Sequence, residues 1–124
     1  MRRPVILPRA TTLTAVRALL ADDHVHMVLL TDGPVLVGTL VRDDLVAAPR
    51  RGDAVGWSSL AGRTVDQHEP AEVLRHRMRR HGVRRLAVVD DVGNLLGLLC
   101  LQRSGAGFCS DDDVAERAAE RARG

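Results

Sequence analysis

Short apolar runs alternate with polar, turn-forming stretches along the chain, and the runs come in the same order twice. Val5-Ile6-Leu7 reads as a strand stopped by Pro8. Thr11 or Thr12 can then cap a helix to about Asp22, in which Leu13, Val16, Leu19 and Leu20 recur at helical spacing on one face. Met27 to Leu30 is wholly apolar, and Asp32-Gly33-Pro34 turns it back into Val35 to Val41, a hairpin whose strands are covered on both sides. A helix is expected from Arg42 or Asp43 to about Ala48, where Pro49-Arg50-Arg51-Gly52-Asp53 breaks it. From Arg63 the order starts again. A strand runs to Val65, a helix from Pro70 to about His81 ends on Gly82 as C-cap, and Leu86 to Val89 and Leu95 to Leu101 form a hairpin around the Asp90-to-Gly93 turn. A last helix is expected from about Asp111 to Arg123.

Ile6 to Gly38 can be laid on Val65 to Gly97 at a constant spacing of 59 residues without a gap. Leu19 falls on Met78, Met27 to Leu30 on Leu86 to Val89, Asp32 on Asp91, Leu36 on Leu95 and Gly38 on Gly97. A unit of this length cannot bury its own apolar face. The spacing therefore predicts an α+β module of two β-α-β-β-α repeats related by a pseudo-twofold axis, each a small mixed sheet with helices on one face. Residues 1–48 form the first repeat, 49–62 the linker and 63–124 the second, and the two repeats pack together around equivalent clefts. Trp57 is the one large apolar group of the linker and is expected to cover an edge of the core.

At 124 residues, 45% of them apolar and 27% charged, the chain is a foldable compact module rather than a disordered segment. With Trp57 and Phe108 its only aromatics, the composition argues against base-stacking nucleic-acid platforms. All 18 basic residues are Arg, yet the net charge is only +2, too small to argue for DNA or a membrane surface. The N-terminus lacks a signal-peptide core and no stretch approaches membrane-spanning length, so a cytoplasmic protein is expected, in which Cys100 and Cys109 stay reduced.

Val83-Arg84-Arg85-Leu86-Ala87-Val88-Val89-Asp90 followed by Gly93-Asn94-Leu95-Leu96-Gly97 resembles the strand-turn-strand signature of the CBS domain family, whose members carry tandem copies called a Bateman module. The resemblance covers nearly the whole chain. The family's ligand motif, Gly, apolar, any, Thr or Ser, any, any, Asp, apolar, has its counterpart in Gly38-Thr39-Leu40-Val41-Arg42-Asp43-Asp44-Leu45, where Val41 replaces the hydroxyl. Two registers compete in the second copy. The 59-residue spacing gives Gly97 to Arg103, with Cys100 for the hydroxyl and Arg103 for the acid. A spacing of 69 gives Gly107-Phe108-Cys109-Ser110-Asp111-Asp112-Asp113-Val114, which matches at every motif position and implies an insertion near 98–107. The second register is preferred because it also leaves a helix after the motif.

The resemblance implies a stand-alone, non-enzymatic ligand-sensing module, a homodimer that binds an adenine nucleotide (AMP, ADP or ATP) or S-adenosylmethionine in the cleft between repeats. No further cofactor and no metal is expected. The ligand-binding residues it points to are Thr39, Arg42 and Asp44 in the first copy and Arg84, Arg85, Ser110 and Asp113 in the second. One Asp can accept both hydroxyls of a ribose diol. A hydroxyl and unpaired amides at a helix N-terminus suit a phosphate. The same residues also read as ordinary helix caps, with Ser110 an N-cap and Asp111 to Asp113 complementing the helix dipole. Asp111 and Asp112 oppose a phosphate, so an anionic ligand needs Arg from elsewhere, and Arg84, Arg85 and Arg42 are the sources.

Two further readings stand beside this one. Val41 and the acidic Asp111 and Asp112 suit a protein-interaction scaffold whose clefts are degenerate. Arg75, Arg77, Arg79 and Arg80 crowd one helix, which could touch nucleic acid but reads better as a solvated face. His24, His26, His68, His76 and His81 show no recognised metal spacing, and no nucleophile elbow or catalytic carboxylate pair is present.

Overall fold

A computed structural model describes residues 5–102 and divides the chain into two compact units, Pro4–Ala61 and a second that begins at Gly62. In the first, β1 (Val5–Pro8), α1 (Leu13–Leu20), β2 (Val28–Asp32) and β3 (Val35–Leu40) follow the expected order. The sheet runs β1-β2-β3, with β1 parallel to β2 and β3 antiparallel to it, so it is mixed. Thr12 is the N-cap of α1, and its hydroxyl accepts the Ala15 amide at 3.2 Å. Leu13, Val16 and Leu20 recur at the helical period and pack with Val28, Leu30 and Leu40 of the sheet, all buried.

The helix expected from Arg42 to Ala48 is only a 3-10 turn, Arg42–Leu45. Val41 sits at its N-cap with no side-chain oxygen to satisfy the first amides, and Pro49 leaves too few residues to stabilise an α-helical nucleus. The carbonyls past the turn are taken instead by the Arg17 guanidinium, whose Nη2 donates to Leu45 at 3.0 Å, Ala48 at 2.6 Å and Pro49 at 3.1 Å.

Residues after Pro49 fold back onto the same unit. The Leu13 amide donates to Gly52 at 2.8 Å, the Ala54 amide to Thr11 at 3.1 Å, and Thr39 and Ser59 exchange backbone bonds at 3.0 Å. Ala54 of this segment is fully buried in the core of the unit, whereas Trp57 is 41% exposed. A small side chain serves where two segments approach this closely, and Gly38 likewise leaves room for Ser58.

The second unit repeats the plan with β4 (Thr64–Asp66), α2 (Ala71–His81), β5 (Arg85–Val89) and β6 (Leu95–Cys100), in sheet order β4-β5-β6. Pro70 precedes α2 and Gly82 ends it in the left-handed region at φ +67°, with the Val83 amide returning to the Met78 carbonyl at 2.9 Å. Leu74 and Met78 face Val65, Leu86, Val88, Leu99 and Leu101. The arginines of α2 point away from that core: Arg75 meets Glu72 at 2.9 Å and Arg77 meets Glu69 at 3.4 Å.

Each repeat thus gives the expected α+β unit, a three-stranded mixed sheet with a helix. The expected final helix, the insertion near 98–107 beyond Gln102, Ser110 and Asp113 lie outside the described residues. Cys100 is disulfide-bonded, which overturns the expectation of a reduced thiol at that position. Among the described residues no helix is long and apolar enough to cross a membrane.

Candidate functional site

The motif of the first repeat runs off the end of β3 into the 3-10 turn. β3 is buried from Gly38 to Leu40, so Thr39 is fully enclosed, and its hydroxyl donates to the Ser59 carbonyl. That bond ties the strand to the returning segment. At the turn, the Asp44 carboxylate accepts the Val41 amide at 2.8 Å. This is half of a capping box, formed without the hydroxyl that Val41 cannot supply.

Arg42 reaches from the turn to the segment that follows α1. Its Nη2 donates to the Asp22 carbonyl at 2.6 Å at the far end of α1. There it lines an open hollow together with Arg17, Arg50, Arg51, Leu45 and Val46. Asp44 and Thr39 are not part of that lining. Four guanidiniums over neutral carbonyls and aliphatic side chains make the hollow attractive to an anion, and guanidiniums suit bidentate contacts with phosphate or carboxylate. Sequence reasoning singled out only Arg42 of these four. Arg17 was hidden beside the apolar face of α1, where a long side chain can run along the core and present its head at the edge. Arg50 and Arg51 read only as a helix break.

In the second unit, Arg84 precedes β5 and Arg85 opens it. The Arg84 Nε donates to the Leu101 carbonyl at 3.3 Å while the Leu101 amide donates back to the Arg84 carbonyl at 2.7 Å, so this side chain closes the end of the β5-β6 ladder. Arg85 is half-buried and faces Cys100 across the ladder. The structure therefore gathers Thr39, Arg42 and Asp44 onto one strand and turn of the first unit, and Arg84 and Arg85 onto one strand start of the second.

The CBS domain family model matches residues 63–102. Comparison with curated proteins finds no match. Among solved structures, a CBS domain protein from Pyrobaculum aerophilum complexed with AMP aligns over 97% of this chain and 94% of its own, at 26% identity and a TM-score of 0.66. CBSX2 in complex with AMP covers 99% of this chain and 91% of its own, at 20% identity and a TM-score of 0.65. A CBS domain pair complexed with 5′-methylthioadenosine and S-adenosyl-L-methionine covers 81% and 83%, at 16% identity and a TM-score of 0.62. At those identities the last two are likenesses of fold.

Proposed function

We propose that this chain, whose residues 63–102 match the CBS domain family model, is a non-enzymatic regulatory module that binds an adenine nucleotide or another adenosyl compound. The observation that carries this reading is the near full-length likeness to a CBS domain protein complexed with AMP. In the first repeat, Asp44 accepts the ribose hydroxyls. Its carboxylate is held in one orientation by the Val41 amide, and carboxylate oxygens accept more than one donor. Arg42, supported by Arg17, Arg50 and Arg51, meets the phosphate or carboxylate of the ligand, and Thr39 contributes by fixing β3 to Ser59. Ser110, Asp113, Arg84 and Arg85 are the counterparts assigned to the second repeat. The module acts as a homodimer, and the ligand changes its pairing only by as much as it prefers one state over the other.

A second reading, an interaction scaffold with degenerate clefts, is favoured by Val41 in place of the motif hydroxyl and by the engagement of the Thr39 hydroxyl within the fold. Thermal melting with AMP, ADP, ATP, S-adenosylmethionine and NADH separates the two. A ligand at about 100 times its Kd adds about 2.7 kcal/mol, a rise of several degrees in Tm for a domain of this size. A flat response across the panel supports the scaffold.

A further inference from the structure

We propose that Asp66, His68 and Asp91 form a site for a divalent first-row metal ion such as Zn2+ on the second repeat. One imidazole nitrogen and one oxygen from each carboxylate lie within 4.8 Å of one another, with His68 Nε2 3.7 Å from Asp91 Oδ1. They come from two loops far apart in sequence. Asp66 ends β4, His68 follows it, and Asp91 is in the turn between β5 and β6; the parallel pairing that sets Asp66 opposite Val89 brings the loops side by side. Spacing along the chain therefore hides this group.

The first repeat supplies an internal comparison. Fifty-nine residues earlier stand Leu7, Arg9 and Asp32, on strands paired in the same register, with Leu7 opposite Leu30 as Asp66 is opposite Val89. There the carboxylate of Asp32 faces the Arg9 guanidinium at 3.7 Å. In the second repeat the guanidinium has become an imidazole, charged only if protonated, and an aliphatic side chain has become a second carboxylate. With the ring neutral, the group offers two negative oxygens and a nitrogen lone pair converging on one point. A divalent cation supplies the charge that Arg9 supplies in the other copy.

The donor set narrows the metal. Two oxygens and an imidazole suit Zn2+, Co2+ or Mn2+ better than Ca2+ or Mg2+, which prefer oxygen alone, or Cu(I), which prefers sulfur. Bonds of about 2.0–2.2 Å require the donors to draw in to roughly 3.3 Å of one another. The His68 and Asp91 side chains are 60% and 74% exposed and have the freedom to do so. Asp66 Oδ1 accepts the His68 amide at 2.7 Å, which leaves its carboxylate anchored beside the ring it joins. Three protein ligands leave one tetrahedral position for water or for a donor from a partner.

The site uses none of the residues assigned to the adenosyl ligand, so the two readings succeed or fail separately. Co2+ is the probe, titrated into the full chain and followed by its visible absorption, with Zn2+ as competitor. One Co2+ binds per chain and Zn2+ displaces it. Asp66→Asn, His68→Ala and Asp91→Asn, all surface changes, each weaken binding about tenfold or more, while His24→Ala and His76→Ala leave it unchanged. Unaltered Co2+ binding in the three site variants, or no saturable binding up to about 1 mM, overturns the proposal.

Discussion

The guanidinium of Arg9 lies 3.7 Å from the carboxylate of Asp32, in the place that His68 and Asp91 occupy, at the same separation, in the second repeat. The duplication thus preserves the position of a charge pair while changing its chemistry. Differences of this kind, rather than the shared scaffold, distinguish the two copies.

Gly38 is a place where the fold tolerates no side chain. A Cβ there would run into the Ser58 Cβ and hydroxyl, which belong to the segment returning over β3. Gly38→Ala should therefore lower stability by about 1–3 kcal/mol, as overpacking does. Ser58→Gly should recover part of that loss in the double variant. Urea unfolding of the four proteins of this cycle measures it, and additive losses would mean that the two residues do not meet.

Thr12 anchors α1 through its bond from the Ala15 amide. Thr12→Ala should cost about 1 kcal/mol and Thr12→Ser very little, measured from denaturant midpoints at constant m. Equal losses in both variants would assign the effect to packing rather than capping.

Asp90 shapes the turn between β5 and β6. Partial desolvation pushes its carboxyl up, but bonds from the Asn94 amide at 2.8 Å, the Asn94 side chain at 2.9 Å, the Val92 amide at 3.0 Å and the Gly93 amide outweigh it and hold the group below the usual carboxylate range. A folded value below the unfolded one means that the unfolded chain binds the proton more readily. The stabilisation is complete above the unfolded value and disappears as pH falls through the folded one. Urea midpoints should decline from about pH 5 towards pH 2, and Asp90→Asn should flatten part of that decline. An identical acid slope in the variant would show that the turn does not contribute.

The duplicated apolar code carries a long way into the structure. Val5 pairs with Val28, and 59 residues on Thr64 pairs with Ala87, because buried parallel strands hold their register through side-chain alternation. The hairpins depart from it. Val28 faces Leu40 but Ala87 faces Leu98, one residue short of the spacing, and the offset is already present on the turn side of each bulge, where Thr31 faces Leu36 but Val89 faces Leu95. The extra residue therefore belongs to the second turn, which is set by local bonds such as those of Asp90 that hydrophobicity does not encode. The motif around Asp44 was legible as letters. That Thr39 would be sealed beneath Ser59, and that Arg17, Arg50 and Arg51 would gather around Arg42, depended on residues 50–59 folding back onto the first repeat, and no periodicity announces that return.

Isothermal titration of AMP into the wild-type chain and into Arg42→Ala and Asp44→Ala tests adenosyl binding most directly. The wild type should give a saturable heat, and each variant should bind about tenfold or more weakly while keeping the wild-type fold by circular dichroism. Saturable binding that neither substitution alters would contradict the assignment of the site to the first repeat. The absence of any binding heat, with AMP and with S-adenosylmethionine alike, would contradict the ligand-sensing function itself.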